Sequence, residues 1–259
     1  MIKIIGEKNM ATKQVNETSG FTLAEVLITL GIIGIVSALT IPTLVKNYQK
    51  KVTVTRLQQT YAILNQALKL SQVDNGFMDT WKYPTEQSFE TMETFVKKYI
   101  LPYVKVGKTC EKSETNDCIR TETYYLDGQH LDPTVNQSPD SAYRFILQNG
   151  VAVTLYPSDT GSLISITVDI NASAKPNTYG KDIFRMVMPY RVPYEYITVG
   201  KINQFGVFFL GHGFDKTTIK NGLYSTAYNC TKTNSYNAGV TCGELIRLDG
   251  WQIKDDYPW

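Results

Sequence analysis

Residues 21–41 read FTLAEVLITLGIIGIVSALTI, a stretch with a single charge, Glu25. At about 1.5 Å of rise per residue, a helix of that length crosses the ~30 Å hydrocarbon core of a bilayer. A helix buried in a soluble core would show a polar face over such a distance. A cleaved secretory signal has a shorter apolar stretch, about 7–15 residues, that ends in small residues before the cut. Here the run is longer, and Pro42 and a new helical pattern follow it. The run therefore predicts a membrane-spanning helix.

Charge alone does not orient that span. Lys3, Lys8 and Lys13 precede it, and Lys46, Lys50, Lys51 and Arg56 follow it. A positive-inside count would weakly place the larger, C-terminal part in the cytoplasm. The cysteines argue the opposite. Cys110, Cys118, Cys230 and Cys242 all follow the span and form two local pairs, which suits two short disulfide loops in an oxidising compartment. Neither pair has the CxxC spacing of a zinc site. Over the whole chain of 259 residues the net charge is +2 and charged residues make up 19%. No strong basic field is present, so nucleic acid is an unlikely partner by composition.

The motif that resolves the orientation is Ser19-Gly20-Phe21-Thr22-Leu23-Ala24-Glu25, continued by LITLGIIGIVSALTIP to Pro42. It resembles the prepilin cleavage and methylation site of the type IV filament superfamily, which includes type IV pilins, type II secretion pseudopilins and competence pilins. The resemblance implies a leader, residues 1–20, removed after Gly20 by a membrane aspartic peptidase that also methylates the new amine of Phe21. Met10 is an alternative start that would leave a shorter leader. Residues 21–42 would be the transmembrane and filament-core helix, and residues 43–259 a globular domain outside the cytoplasm, in agreement with the cysteines. Implied partners are the prepilin peptidase and N-methyltransferase, other pilin or pseudopilin subunits through the N-terminal helix, an inner-membrane assembly platform, and membrane lipid before assembly. The finished filament would lie in the periplasm or at the cell surface.

Physical chemistry gives these positions their roles. Gly20 lacks a Cβ, so a peptidase can close tightly on the backbone there. Glu25 inside a span costs several kcal/mol when left alone, which makes it a functional residue by default. Its natural partner is the Phe21 amine of a neighbouring subunit; such a pair fixes register whether or not it adds stability. A carboxylate snorkelling to the head groups is the plainer alternative. Pro42 removes a helical hydrogen bond, and Gly31 and Gly34 weaken the helix nearby. That combination suggests either a segment that melts on packing into a filament or an ordinary transmembrane kink.

After Pro42, Leu57, Tyr61, Leu64 and Leu68 recur at helical spacing, predicting that the same helix continues to about Val73 and ends near Asn75-Gly76. A second helix is expected from Glu86 to Tyr99, closed by Pro102. The polar stretch 108–120, with the first cysteine pair, reads as a surface loop or insertion. Strands follow. Tyr143 to Tyr156 flanks Asn149-Gly150 with apolar runs, a strong hairpin signal. Leu163–Ile170, Asp182–Met188 and Lys201–Leu210 add three more. The fold class is α+β: a long N-terminal helix, half transmembrane and half amphipathic, packed against an antiparallel β-sheet.

Two further stretches carry candidate sites. Residues 168–184, VDINASAKPNTYGKDIF, resemble a segment of pseudopilin-like proteins, departing from it at Ala172 where glycine is expected. That departure argues against a left-handed backbone there. Asp169, Asn171, Asn177 and Asp182 offer oxygen ligands of the kind calcium needs, although the spacing is not that of an EF-hand. A tight loop between strands is the competing reading, since Asn and Asp favour turns. In the tail, Asp249-Gly250 reads as a turn and Trp251, Tyr257 and Trp259 as an aromatic patch. By resemblance to pilins, Cys230 and Cys242 bound an exposed variable region; they serve equally as a staple for the chain end.

No catalytic constellation is apparent. The two histidines, His130 and His212, lie in no HExxH pattern, and no GxSxG or phosphate-binding loop occurs. The sequence points to a structural filament subunit of a pilus or a secretion pseudopilus. The alternative is a single-span membrane anchor bearing a binding domain. Glu25 separates the two, because an anchor alone has no use for an acid within its span.

Overall fold

In a computed structural model, residues 20–112, 118, 122–131, 140–158, 161–172, 174–223, 227–233 and 237–259 are described. Residues 1–19 of the leader, with Met1, Met10 and its lysines, lie outside them, as do residues 113–117 between the first two cysteines. Helix α1 runs from Leu23 to Asn75. Two compact units divide within it, between Asn47 and Tyr48.

In the first unit, every large apolar side chain of α1 from Leu23 to Val45 is exposed. In the second, α1 buries Val54, Leu57, Leu64, Ala67 and Leu68 together with Thr53, Thr60 and Ser71. Those positions recur every three or four residues, the stripe of a helix laid on a core. Tyr61 flanks the stripe and stacks on Phe209, ring centroids 5.2 Å apart. The helix stops where Gly76 turns left-handed, φ +77°.

Helix α2 spans Phe89–Tyr99. It starts three residues later than its periodicity suggests, because the Ser88 hydroxyl accepts from Thr91 N–H and caps it. Next come β1 (Val106–Cys110), the short pair β2 (Thr123–Tyr124) and β3 (His130–Leu131), β4 (Tyr143–Leu147), β5 (Ala152–Pro157), β6 (Leu163–Asp169) and β7 (Ile183–Pro189). A second short pair, β8 (Tyr194–Tyr196) and β9 (Val199–Ile202), precedes β10 (Phe208–Phe209), α3 (Lys216–Asn221) and α4 (Cys242–Leu248). The main sheet is antiparallel, in the order β1-β4-β5-β6-β7-β10.

Register sorts the sheet into two faces. Tyr143, Leu155, Ile166, Met186 and Phe209 form one row of directly paired residues, all buried in the same core as Leu57 and Leu64. Arg144, Thr154, Thr167 and Arg185 form a row on the opposite face, of which the first three are buried. The sheet is thus covered on both faces, which explains why all of β6 is buried.

Three expectations need correction. The polar stretch beginning at residue 108 is not wholly a loop, because Val106–Cys110 is the edge strand β1, paired with β4. Lys201–Leu210 is not one strand. Val199–Ile202 pairs with Tyr194–Tyr196, whereas Phe208–Phe209 pairs with β7. The break lies at Asn65 of α1, whose side-chain amide bonds both the N–H and the C=O of Val207, at 2.9 and 3.1 Å. A Cβ on Gly206 would stand 2.9 Å from Asn65 Oδ1, so only glycine lets the chain approach that closely. Finally, the tail aromatics split into two groups: Tyr257 and Trp259 lie together, ring centroids 6.4 Å apart, whereas Trp251 faces other rings. Trp251 packs against Tyr61 and Phe209, centroids 5.6 and 6.0 Å away, while Tyr257 is buried and donates to Gly180 O.

Candidate functional site

Gly20 and Phe21, which flank the expected cut, precede α1, and both are exposed, Phe21 at 88%. Thr22 is the residue from which the helix starts. Its N–H and hydroxyl both donate to Glu25 Oε2, each at 2.8 Å, and its hydroxyl accepts from Glu25 N–H at 3.3 Å. This reciprocal T-x-x-E arrangement is a capping box, which satisfies N–H groups that a helix start leaves without partners. Glu25 thus has a local role that sequence reasoning missed, although Thr22 three residues ahead of it was the available signal.

Beyond Glu25 the span has no polar side chains except small ones. Thr29 and Thr40 donate to the carbonyls of Val26 and Val36, at 2.9 Å each, hiding their hydroxyls along the helix. Cβ atoms built on Gly31 and Gly34 would meet nothing within 4 Å. Helix α1 continues unbroken through Pro42, which removes one backbone donor without ending the helix.

The other singled-out residues lie in the second unit. Asp169 closes β6, and Asp182 precedes β7; the loop between them carries Asn171 and Asn177. The two oxygens of Asp182 accept from Asn177 N–H at 2.7 Å and Thr178 N–H at 2.6 Å. Asp169 Oδ1 accepts from Asn171 N–H at 3.2 Å. Asn171 Oδ1 and Asn177 Oδ1 are buried without a hydrogen bond. Calcium takes six to eight oxygens. Carboxylates already engaged by backbone donors support the closed-loop reading more than the calcium one. Among the described residues, no group of three or more His, Cys, Asp or Glu could hold a metal ion. Ala172 does adopt the left-handed conformation, φ +56°, despite its Cβ. The loop's own hydrogen bonds over-determine that backbone, so the missing glycine costs strain rather than changing the path.

Both disulfides are formed, Cys110–Cys118 and Cys230–Cys242. Cys230 and Cys242 are buried, and Cys230 N–H donates to Ile219 O at 3.0 Å. The second disulfide ties the segment after α3 to the first residue of α4, and among the described residues that it bounds, 232–233 are exposed and 237–241 buried. His212 is in a turn, as its Gly-His-Gly context suggests, but its Nδ1 lies 3.3 Å from Glu244 Oε1. Glu244 is fully buried and is held by Arg247 through two hydrogen bonds of 2.6 and 2.7 Å.

Comparison with known proteins separates the chain at nearly the same place as its two units. Residues 16–41 match the prokaryotic N-terminal methylation motif. Residues 43–259 match a family of unknown function, DUF6613. Among curated proteins, the chain is similar to prepilin peptidase-dependent protein D of Escherichia coli (strain K12), 39% identical over 61 residues. That match covers 24% of this chain and 41% of the relative, so it spans about two fifths of the relative's length. No solved structure matches. An exposed apolar helix headed by this motif makes the chain a membrane-anchored, pilin- or pseudopilin-type protein. By the extent of the match, the chain belongs to DUF6613 and is a type IV pilin-like member of it.

Proposed function

We propose that this chain is a structural subunit of a pilus-like or pseudopilus filament, cut after Gly20 and N-methylated at Phe21. In this reading its second unit lies outside the cytoplasm. The observation that carries it is Glu25 in the first turn of a helix whose apolar side chains from Leu23 to Val45 all lack cover. A lipid anchor accounts for the apolar surface, and the Thr22 capping box gives the acid a local role, but neither accounts for the N-terminal methylation motif matched over residues 16–41. Cleavage at Gly20 creates an amine four residues before Glu25, and in a bundle of such helices each acid can meet a neighbour's amine. The relative's printed name, which ties it to prepilin peptidase, supports the same processing.

Intact-mass spectrometry of protein extracted from membranes, with fragmentation of the N-terminal peptide, tests this. The expected mature terminus is N-methylated Phe21, with a mass four hydrogens below the reduced value for the two disulfides. A chain retaining its leader in cells that contain the peptidase would overturn the filament role and leave a simple anchored domain.

A further inference from the structure

A groove of about 530 Å³ opens beside the first residues of the second unit. Tyr48 and Arg56 of α1 line one side, Lys175 and Lys181 of the β6–β7 loop the other, with Trp259 at its edge. Asp182 is the acid in the lining, and both its oxygens are committed to backbone N–H groups. Lys175 is 86% exposed, and its weak ion pair with Glu122, at 3.9 Å, leaves its ammonium largely free for a ligand. Arg56 spends Nη1 on Ile170 O at 2.9 Å, a bond that orients the guanidinium in the groove wall. Thr53 Oγ1 lies 3.4 Å from Lys181 O and ties that loop to the helix.

We infer that this groove binds the head group of an anionic phospholipid. The inference rests on the membrane-anchored reading of the first unit. Tyr48 follows Val45, the last exposed apolar residue of the span, by three residues, roughly 4–5 Å of helix rise. A head-group layer is about 5–8 Å thick on each side of the hydrocarbon. Tyr48, the first residue of the groove, is therefore within chain reach of the head groups when the run up to Val45 lies in the bilayer. Three cations face it with no free acid in the lining, so the complementary ligand is a phosphate-bearing anion. Tyr48, 68% exposed, and Trp259 are the residue types that settle at a membrane interface. Lysines near an anionic surface each contribute measurably to binding, and the effect fades within a Debye length. Arg56, one of the cations that spoil the charge-count orientation, thus acquires a role on the side to which the motif assigns it.

The test uses the full-length chain in nanodiscs of phosphatidylcholine alone or with about 30% phosphatidylglycerol, read by hydrogen exchange over Tyr48–Arg56 and residues 174–182. Native mass spectrometry of the detergent-extracted protein counts retained lipid. Phosphatidylglycerol is expected to slow exchange at both segments and to be retained about tenfold or more over phosphatidylcholine. Lys175→Glu with Lys181→Glu should abolish the preference, and the Gln pair should give an intermediate loss. Unchanged melting of both variants shows that they fold. Inorganic phosphate at millimolar concentration should not displace the lipid; if it alone gives the protection, the site takes free phosphate. Equal retention of both lipids, or protection that depends on protein concentration rather than lipid, overturns the proposal, the latter in favour of a second copy in the groove. Failure to enter either nanodisc would overturn the membrane reading as well; insertion without lipid preference overturns the groove alone.

Discussion

The two halves of α1 carry apolar residues of the same kinds, and those residues reach opposite ends. Leu23 to Val45 leaves every large apolar side chain exposed, whereas Leu57, Leu64 and Leu68 are at most 2% exposed. The difference lies in what each half is given to pack on. The second half shares a core with the sheet of its own chain. The first meets no cover among the described residues of its own unit and needs it from outside. Apolar burial is worth about 25 cal/mol per Å², so the exposed half carries a large driving force that only a partner outside the chain can realise.

Removing apolar bulk should therefore be felt differently along one helix. Leu64→Ala is expected to lower the stability of the second unit by about 3 kcal/mol, in the usual range for a buried Leu→Ala change, and its melting temperature by roughly 10 °C. Leu30→Ala should leave that melt unchanged and reduce incorporation into filaments instead. Calorimetry on both variants, with filament yield from cells, checks the pair. A fall in the melting temperature with Leu30→Ala would mean that the span is packed by its own chain.

Asn65 sharpens the contrast, since it is the polar residue by which α1 fixes a distant loop. Asn65→Ala leaves the N–H and C=O of Val207 without their partner and should cost about 1–3 kcal/mol, measured by urea unfolding. A smaller effect comes from the β6–β7 loop. Ala172→Gly should relieve the left-handed strain and raise stability by about 1 kcal/mol. The same melts repeated with chelator and with added calcium should coincide. A calcium-dependent rise would assign the buried amide oxygens of Asn171 and Asn177 to the ion.

Much of this architecture was legible because it rests on periodicity. The length of α1, its end at Asn75-Gly76, the hairpin at Asn149-Gly150 and the strands β6 and β7 all follow from patterns of 3.6 or 2 and from turn residues. The processing motif was legible because its offsets are short and fixed along the chain. What the sequence hid depends on contacts far apart in it. The split of Lys201–Leu210 follows from an amide on Asn65, about 140 positions upstream. Val106–Cys110 is a strand only because β4 pairs with it; its own Gly-Lys-Thr is a weak strand former. Glu244 carries no sign in the sequence that it is buried: Arg247 lies one helical turn on, but His212 is brought to it only by the fold.

The Thr22–Glu25 capping box bears on how such a subunit waits and how it moves. Before any neighbour arrives, the acid is already solvated by its own helix start and does not need to find water through the lipid. On the filament reading, docking then becomes an exchange in which Glu25 trades Thr22 donors for an incoming amine. Exchange reactions of that kind run close to thermoneutral, so the acid contributes little to how tightly subunits hold. Its contribution is to registry, and a subunit that leaves the bundle returns to a state in which its charge is once more satisfied. A helix start of this design suits a polymer that is built and taken apart repeatedly from one membrane pool.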